Sequence, residues 1–139
     1  MIVECTNNTG NSLPNKIVEQ AQGWNKEAKF NLTVGKKYKV YALEILYGYI
    51  WYYIEDDDFD GETINYPIHY PAPLFKIINN KLSKYWTLNF EVNNDSVYQI
   101  FSFEEWYKEK AFYDLLTDGN DREVQIYNKY KQLMDHELR

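Results

Sequence analysis

The chain contains a single cysteine, Cys5, among its 139 residues. One thiol excludes a disulfide framework and fits a reducing compartment, where a small buried side chain is its expected role. No run of about 18 apolar residues occurs, so no membrane-spanning helix is expected. The chain does not open on a charged lead followed by an apolar run, and a soluble, cytoplasmic protein is the expectation. Histidine is scarce: His69 and His136 have no partner at metal-ligand spacing. There is no phosphate-cradling glycine loop and no serine nucleophile elbow. Carboxylates are plentiful, but only their separation in space would make a glycosidase-type pair. The expectation is therefore no enzyme: no catalytic residue, no metal and no cofactor.

Positive charge is also in short supply. Lys and Arg number 15 against 21 Asp and Glu, for a net charge of −6 and a pI near 4.9. The only basic cluster is Lys36-Lys37-Tyr38-Lys39. That balance argues against nucleic acid as a direct ligand, since phosphate contacts need clustered Lys and Arg. It favours a basic protein partner, because opposite potentials speed encounter and reject wrong partners. A hydrophobic content of 45% with 14 tyrosines and four tryptophans excludes a disordered chain. The length fits one domain over 1–139, mainly β over 1–101 with a helical tail over 102–139.

The stretch over 30–62 organises the rest. Tyr38-Lys39-Val40-Tyr41-Ala42-Leu43 and Tyr49-Ile50-Trp51-Tyr52-Tyr53-Ile54 flank Gly48, which predicts a strand–turn–strand hairpin. The second run breaks into Glu55-Asp56-Asp57-Asp58-Phe59-Asp60-Gly61-Glu62. Six of the 21 acidic residues lie there, and the other 15 equal the 15 basic ones, so the whole net charge sits in one loop. Asp56, Asp57, Asp58, Asp60 and Glu62 are the expected partner-binding acids, with Trp51 and Tyr53 as a desolvated anchor. Reversing Asp56, Asp57 and Asp58 to Lys is expected to weaken binding and leave folding intact. The spacing Asp56-x-Asp58-x-Asp60-Gly61 imitates the opening of a calcium loop, but the twelfth position is Pro67 instead of a bidentate Glu. Stacked aromatics on a small barrel can also hold single-stranded nucleic acid, but only in a positive groove. A groove for proline-rich peptides has no further support.

Elsewhere, Met1 to Cys5 reads as a short strand and 6–15 as loop. Ile17, Val18, Ala21 and Trp24 are spaced roughly as in a helix but Gly23 interrupts, which predicts a long excursion with one helical turn. Prolines 67, 71 and 73 exclude a central strand, and Leu74-Phe75 is expected to plug one end of a barrel. Residues 76–82 carry a second hairpin signal at Asn79-Asn80. In 82–92, Trp86, Leu88, Phe90 and Val92 alternate with polar neighbours, predicting a half-buried strand; 97–101 is another. Ser102-Phe103-Glu104-Glu105 and Asn120-Asp121-Arg122-Glu123 have the form of capping boxes. They predict a short helix ending at Asp118-Gly119-Asn120 and a final helix whose face carries Val124, Tyr127, Tyr130 or Lys131, Met134 and Leu138. The expected class is α+β: a small, strongly bent antiparallel sheet or SH3-like barrel with two C-terminal helices packed on it.

Leu32-Thr33-Val34-Gly35-Lys36-Lys37-Tyr38-Lys39-Val40, Trp51-Tyr52-Tyr53-Ile54-Glu55-Asp56-Asp57 and Leu74-Phe75-Lys76-Ile77-Ile78 resemble a small bacterial and phage module, SH3-like, with the pattern LTVGKxYxV, yxIxDD, lFei. That likeness covers residues 1–80, and the segment over 11–29 has no counterpart in it. With Tyr66-Pro67-Ile68-His69-Tyr70-Pro71-Ala72-Pro73-Leu74-Phe75, Leu82-Ser83-Lys84-Tyr85-Trp86 and the helical tail, nearly the whole chain is similar to bacterial immunity proteins. Those are cognate inhibitors of contact-dependent growth inhibition and other polymorphic toxins. The resemblance implies stoichiometric binding to the C-terminal domain of a cognate toxin, with nucleases among the candidates. It carries over no binding residue, because such interfaces vary from pair to pair. The alternative is a phage or mobile-element accessory module that binds a host protein.

Overall fold

The computed structural model describes residues 1–20, 25–46, 48–58, 65–92, 94 and 97–138. Within them the strands are β1 (Ile2–Cys5), β2 (Lys37–Lys39), β3 (Ala42–Leu46), β4 (Tyr49–Ile54), β5 (Ile68–Pro71), β6 (Phe75–Asn79), β7 (Thr87–Val92) and β8 (Val97–Ser102). The helices are α1 (Asn15–Gln20), α2 (Glu104–Lys108), α3 (Phe112–Thr117) and α4 (Asp121–Glu137). Two antiparallel sheets result, one ordered β2-β1-β6 and the other β5-β4-β3-β8-β7.

The central hairpin forms as expected. β3 and β4 pair from Leu46↔Tyr49 to Ala42↔Tyr53, and Gly48 takes the positive φ of +79° that the turn requires. Its first arm, however, divides between the two sheets. β2 pairs with β1; Val40 N–H then donates to Met1 O at 3.2 Å, and Tyr41 N–H to Tyr53 O at 2.9 Å. The chain thus changes sheets between two consecutive residues. It changes back through one 3-10 turn, Ala72–Leu74, between β5 and β6.

Neither sheet closes on itself among the described residues, so the expected barrel is replaced by two joined sheets. The reason lies in β3, which pairs with β8 on its second side; the sheet therefore runs on to β7. Leu74 is fully buried as expected, but as part of a corner and not as a barrel plug. The second hairpin signal also fails: β6 pairs with β1, and 80–83 is irregular. Pro71 lies where a missing donor is tolerated, since β5 is an edge strand among the described residues, while Pro67 precedes that strand and Pro73 sits in the 3-10 turn after it.

The five-stranded sheet is a middle layer. Leu43, Tyr52 and Ile54 join Val3, Cys5, Tyr38 and Leu74 in one core. Ala42, Tyr53 and Ile100 join Phe103, Trp106, Phe112, Leu116, Tyr127 and Met134 in another, against the helices. The excursion over 11–29 sends Ile17 of α1 into the first core at 0% exposure. It closes where Gly10 N–H donates to Ala28 O at 2.8 Å. A Cβ on Gly10 would lie 2.1 Å from Asn25 O, so only glycine fits that close approach.

The expected first tail helix is two short ones. Glu109 adopts an extended conformation (φ −99°, ψ 101°) that ends α2, and α3 restarts at Phe112. Ser102 does not cap, because the N-cap position falls on Phe103; the Ser102 hydroxyl donates to Phe103 O at 3.0 Å. At α4 the amide of Asn120 bonds the carboxylate of Glu123 instead of the reciprocal backbone pattern. Arg122 then ties α4 to the end of α2 through both oxygens of Glu109, each at 2.7 Å. α4 buries Tyr127 and Met134 as its spacing predicts.

Phe103 concentrates the helical core. It is fully buried, stacks on Tyr130 at 4.3 Å with planes 3° apart, and meets Trp106 and Phe112 edge-on. Phe103→Ala is expected to cost about 3–5 kcal/mol in urea unfolding, from lost burial plus an unfilled cavity.

Candidate functional site

The acidic run leaves β4, and its first three residues are tied to the surrounding structure. Glu55 accepts the Tyr127 hydroxyl at 2.9 Å and lies 3.6 Å from Lys131 Nζ. Asp56 accepts the Tyr70 hydroxyl at 2.5 Å. Burial pushes the Asp56 carboxyl up, with that hydrogen bond opposing. Asp57 is clamped by Lys36, by the Thr33 hydroxyl at 2.6 Å and by the Tyr38 hydroxyl at 3.1 Å. Burial raises its pKa, but these donors together outweigh burial and hold the carboxyl below the usual range. Its own N–H donates to Asn31 O at 2.9 Å. Asp58 alone among these four is exposed. Asp60 and Glu62, with the calcium-like turn at Gly61, lie outside the described residues. Among the described residues no group of three His, Cys, Asp or Glu side chains is placed to hold a metal ion.

Trp51 and Tyr53 are core residues, 3% and 7% exposed. Their rings flank His69, with centroids 4.8 and 5.4 Å away, and Tyr53 also meets Trp106 edge-on at 4.8 Å. Both rings are already desolvated by the fold, so neither stands out from the surface as the expected exposed anchor. Their burial has a simple cause: β4 lies inside a sheet covered on both faces, which a run apolar on both sides permits.

Sequence reading missed Glu44. It is 3% exposed on β3 and accepts from Tyr98 at 2.9 Å, Tyr53 at 3.3 Å and His69 Nδ1 at 2.5 Å. Nearby burial and the Glu44 carboxylate raise the Tyr53 and Tyr98 pKa values. The only available signal was a lone Glu in an otherwise apolar strand, with its partners up to 54 residues away.

The surface that remains is β7. The expected alternation is present, but not the expected burial: Leu88, Phe90 and Val92 are 57, 63 and 66% exposed. Cross-strand neighbours share a face. The row Tyr52, Leu43, Phe101, Leu88 runs outward from the first core. The next row, Ile50, Ile45, Gln99, Phe90, is exposed at both ends. Val97, opposite Val92, extends the stripe at 48% exposure. The first-core face of the sheet thus continues past the three-stranded sheet that covers it.

Charge reversal separates the structural acids from the solvated one. Asp57→Lys is expected to cost about 1–3 kcal/mol by stranding the donors around it, and Asp58→Lys to stay within about 0.5 kcal/mol, as read by thermal melting at pH 7. The depressed Asp57 carboxyl stabilises the fold above the ordinary carboxylate pKa of about 3.9. That contribution is lost as pH falls through the lowered value. Asp56 acts in the opposite sense, and Asp57→Asn should therefore flatten the acid limb of a stability–pH curve. No family model, curated protein or solved structure matches the chain.

Proposed function

We propose that the chain is an immunity protein that binds the C-terminal domain of a cognate polymorphic toxin and neutralises it stoichiometrically, with the β7 edge as its contact surface. The observation that carries this reading is the exposed stripe Leu88, Phe90, Val92 and Val97. Contiguous apolar side chains on a monomer mark interaction sites. Edge strands are ordinarily guarded by charge, proline or a bulge, and β7 carries one charged residue, Glu91.

Charge selects the occupant. A second copy would bring together two molecules each carrying −6, which repel, whereas a basic toxin domain is attracted. Exposed Asp58, with Asp60 and Glu62 beside it in sequence, supplies steering in this reading. The likeness to immunity proteins over 66–75, 82–86 and the helical tail supports a toxin as the partner class.

The test is co-expression with the C-terminal domain of the large protein encoded immediately upstream. Wild type should rescue growth and co-purify as a 1:1 complex, while Leu88→Asp with Phe90→Asp should weaken binding by about 2 kcal/mol or more at unchanged melting temperature. Toxicity without rescue, equal binding by the double variant, or a homodimer held through β7 in sedimentation would overturn the proposal. Capture of a host protein without any toxin would favour the accessory-module alternative.

A further inference from the structure

The opposite, helix-side face of the same edge holds a cavity of about 390 Å³. Five of its lining side chains are aromatic: Tyr53, Tyr98, Trp106, Tyr107 and Tyr113. That volume is in the range of small-ligand sites, which are typically about 300–1,000 Å³. Glu91 and Lys110, both exposed, bring the charges that line it. Glu91 lies directly opposite Tyr98 in the β7–β8 pairing, which places both on the cavity side of the sheet.

The hydroxyl protons decide what such a cavity prefers. Tyr53 and Tyr98 both donate to Glu44, at 3.3 and 2.9 Å. Tyr107 donates to Phe90 O at 3.1 Å, and Tyr113 to Pro67 O at 2.8 Å. All four phenols donate to protein acceptors, so no phenol proton is left for an acceptor in the cavity; the donors that remain on its lining residues are the Trp106 indole N–H and the Lys110 ammonium. The lining presents π faces, phenolic oxygens and the Glu91 carboxylate. Behind Tyr53 and Tyr98, Glu44 accepts three hydrogen bonds at 3% exposure. Cations bind over aromatic faces by attraction to the ring quadrupole, most strongly where water is excluded. Lys110 works against a cation, but it is an exposed side chain on a flexible stem that can swing toward solvent.

We infer that this cavity receives an organic cation, the guanidinium or ammonium head of an Arg or Lys side chain on the bound partner. Only the source of the cation rests on the proposed function; the selectivity rests on the cavity. The two surfaces belong to one strand, since the carbonyl of exposed Phe90 is the acceptor for the Tyr107 hydroxyl on the cavity wall. A partner seated on the β7 edge therefore needs to send only one side chain around it.

The isolated protein suffices for the test. It is titrated at constant ionic strength with methylguanidinium chloride, with tetramethylammonium chloride and with neutral neopentyl alcohol, following amide NMR shifts. The cations should bind saturably, shifting Glu91, Tyr98 and Tyr107, and the alcohol should not. Glu91→Lys should weaken the cations at least tenfold with no change in melting temperature, because Glu91 is exposed. Tyr107→Leu, at a half-buried position, should also weaken them. Equal binding of the alcohol, indifference to Glu91→Lys, or shifts that map elsewhere would overturn the inference. A blocked Gly-Arg-Gly peptide forms the second arm. Binding at least as tight as methylguanidinium supports a side-chain source; failure assigns the cavity to a free small cation and overturns that source. The titration needs no toxin, so a failed rescue experiment and a failed cavity are told apart.

Discussion

The hydrogen bond from a tyrosine hydroxyl to a carboxylate holds this molecule together. Among the described residues seven tyrosines make it: Tyr38 to Asp57, Tyr41 to Asp135, Tyr53 and Tyr98 to Glu44, Tyr70 to Asp56, Tyr127 to Glu55 and Tyr130 to Glu105. A buried phenol needs an acceptor, and an enclosed carboxylate needs donors. Each group solves the other's problem, and the two excesses of the composition, tyrosine and acid, are linked. The price appears in the phenols, whose protons become harder to remove; burial, with Asp57 nearby, pushes Tyr38 up to about 12.

These bonds also assemble the layers. α4 is fixed to the sheet corner through Tyr41, whose hydroxyl donates to Asp135 at 2.9 Å and accepts from Lys131 at 2.9 Å. Lys39 reaches the same Asp135 at 3.2 Å. The acidic run following β4 is thereby shared out, with Glu55 serving the helix and Asp57 the loop before β2. Of the block that carries the entire net charge, Glu55, Asp56 and Asp57 serve in space as acceptors. Exposed Asp58 is left free to steer a partner.

A middle sheet covered on both faces leaves its surplus at an edge. The three-stranded sheet covers one face and α2, α3 and α4 the other, but neither cover extends over all of β7. The apolar stripe and the aromatic cavity lie on the two faces of that overhang. Their common position gives the edge two kinds of recognition, one by apolar area and one by charge.

Local chemistry made much of the fold legible in the sequence. Aromatic and β-branched composition marked β4, alternation marked β7, Gly48 marked the central turn, and 3.6-residue spacing marked α4, because each depends on neighbours a few residues away. Tertiary structure alone decided which sheet each run entered. Nothing in Tyr38-Lys39-Val40-Tyr41-Ala42-Leu43 announces that its first half pairs with β1 and its second with β4 and β8. The same holds for the candidate site. Trp51 and Tyr53 turned out to be core and Leu88 and Phe90 surface, although both pairs are apolar residues in strands. Composition states that a side chain is able to be buried; what covers it comes from segments distant in the chain, as Tyr127 reaches Glu55 across 72 residues.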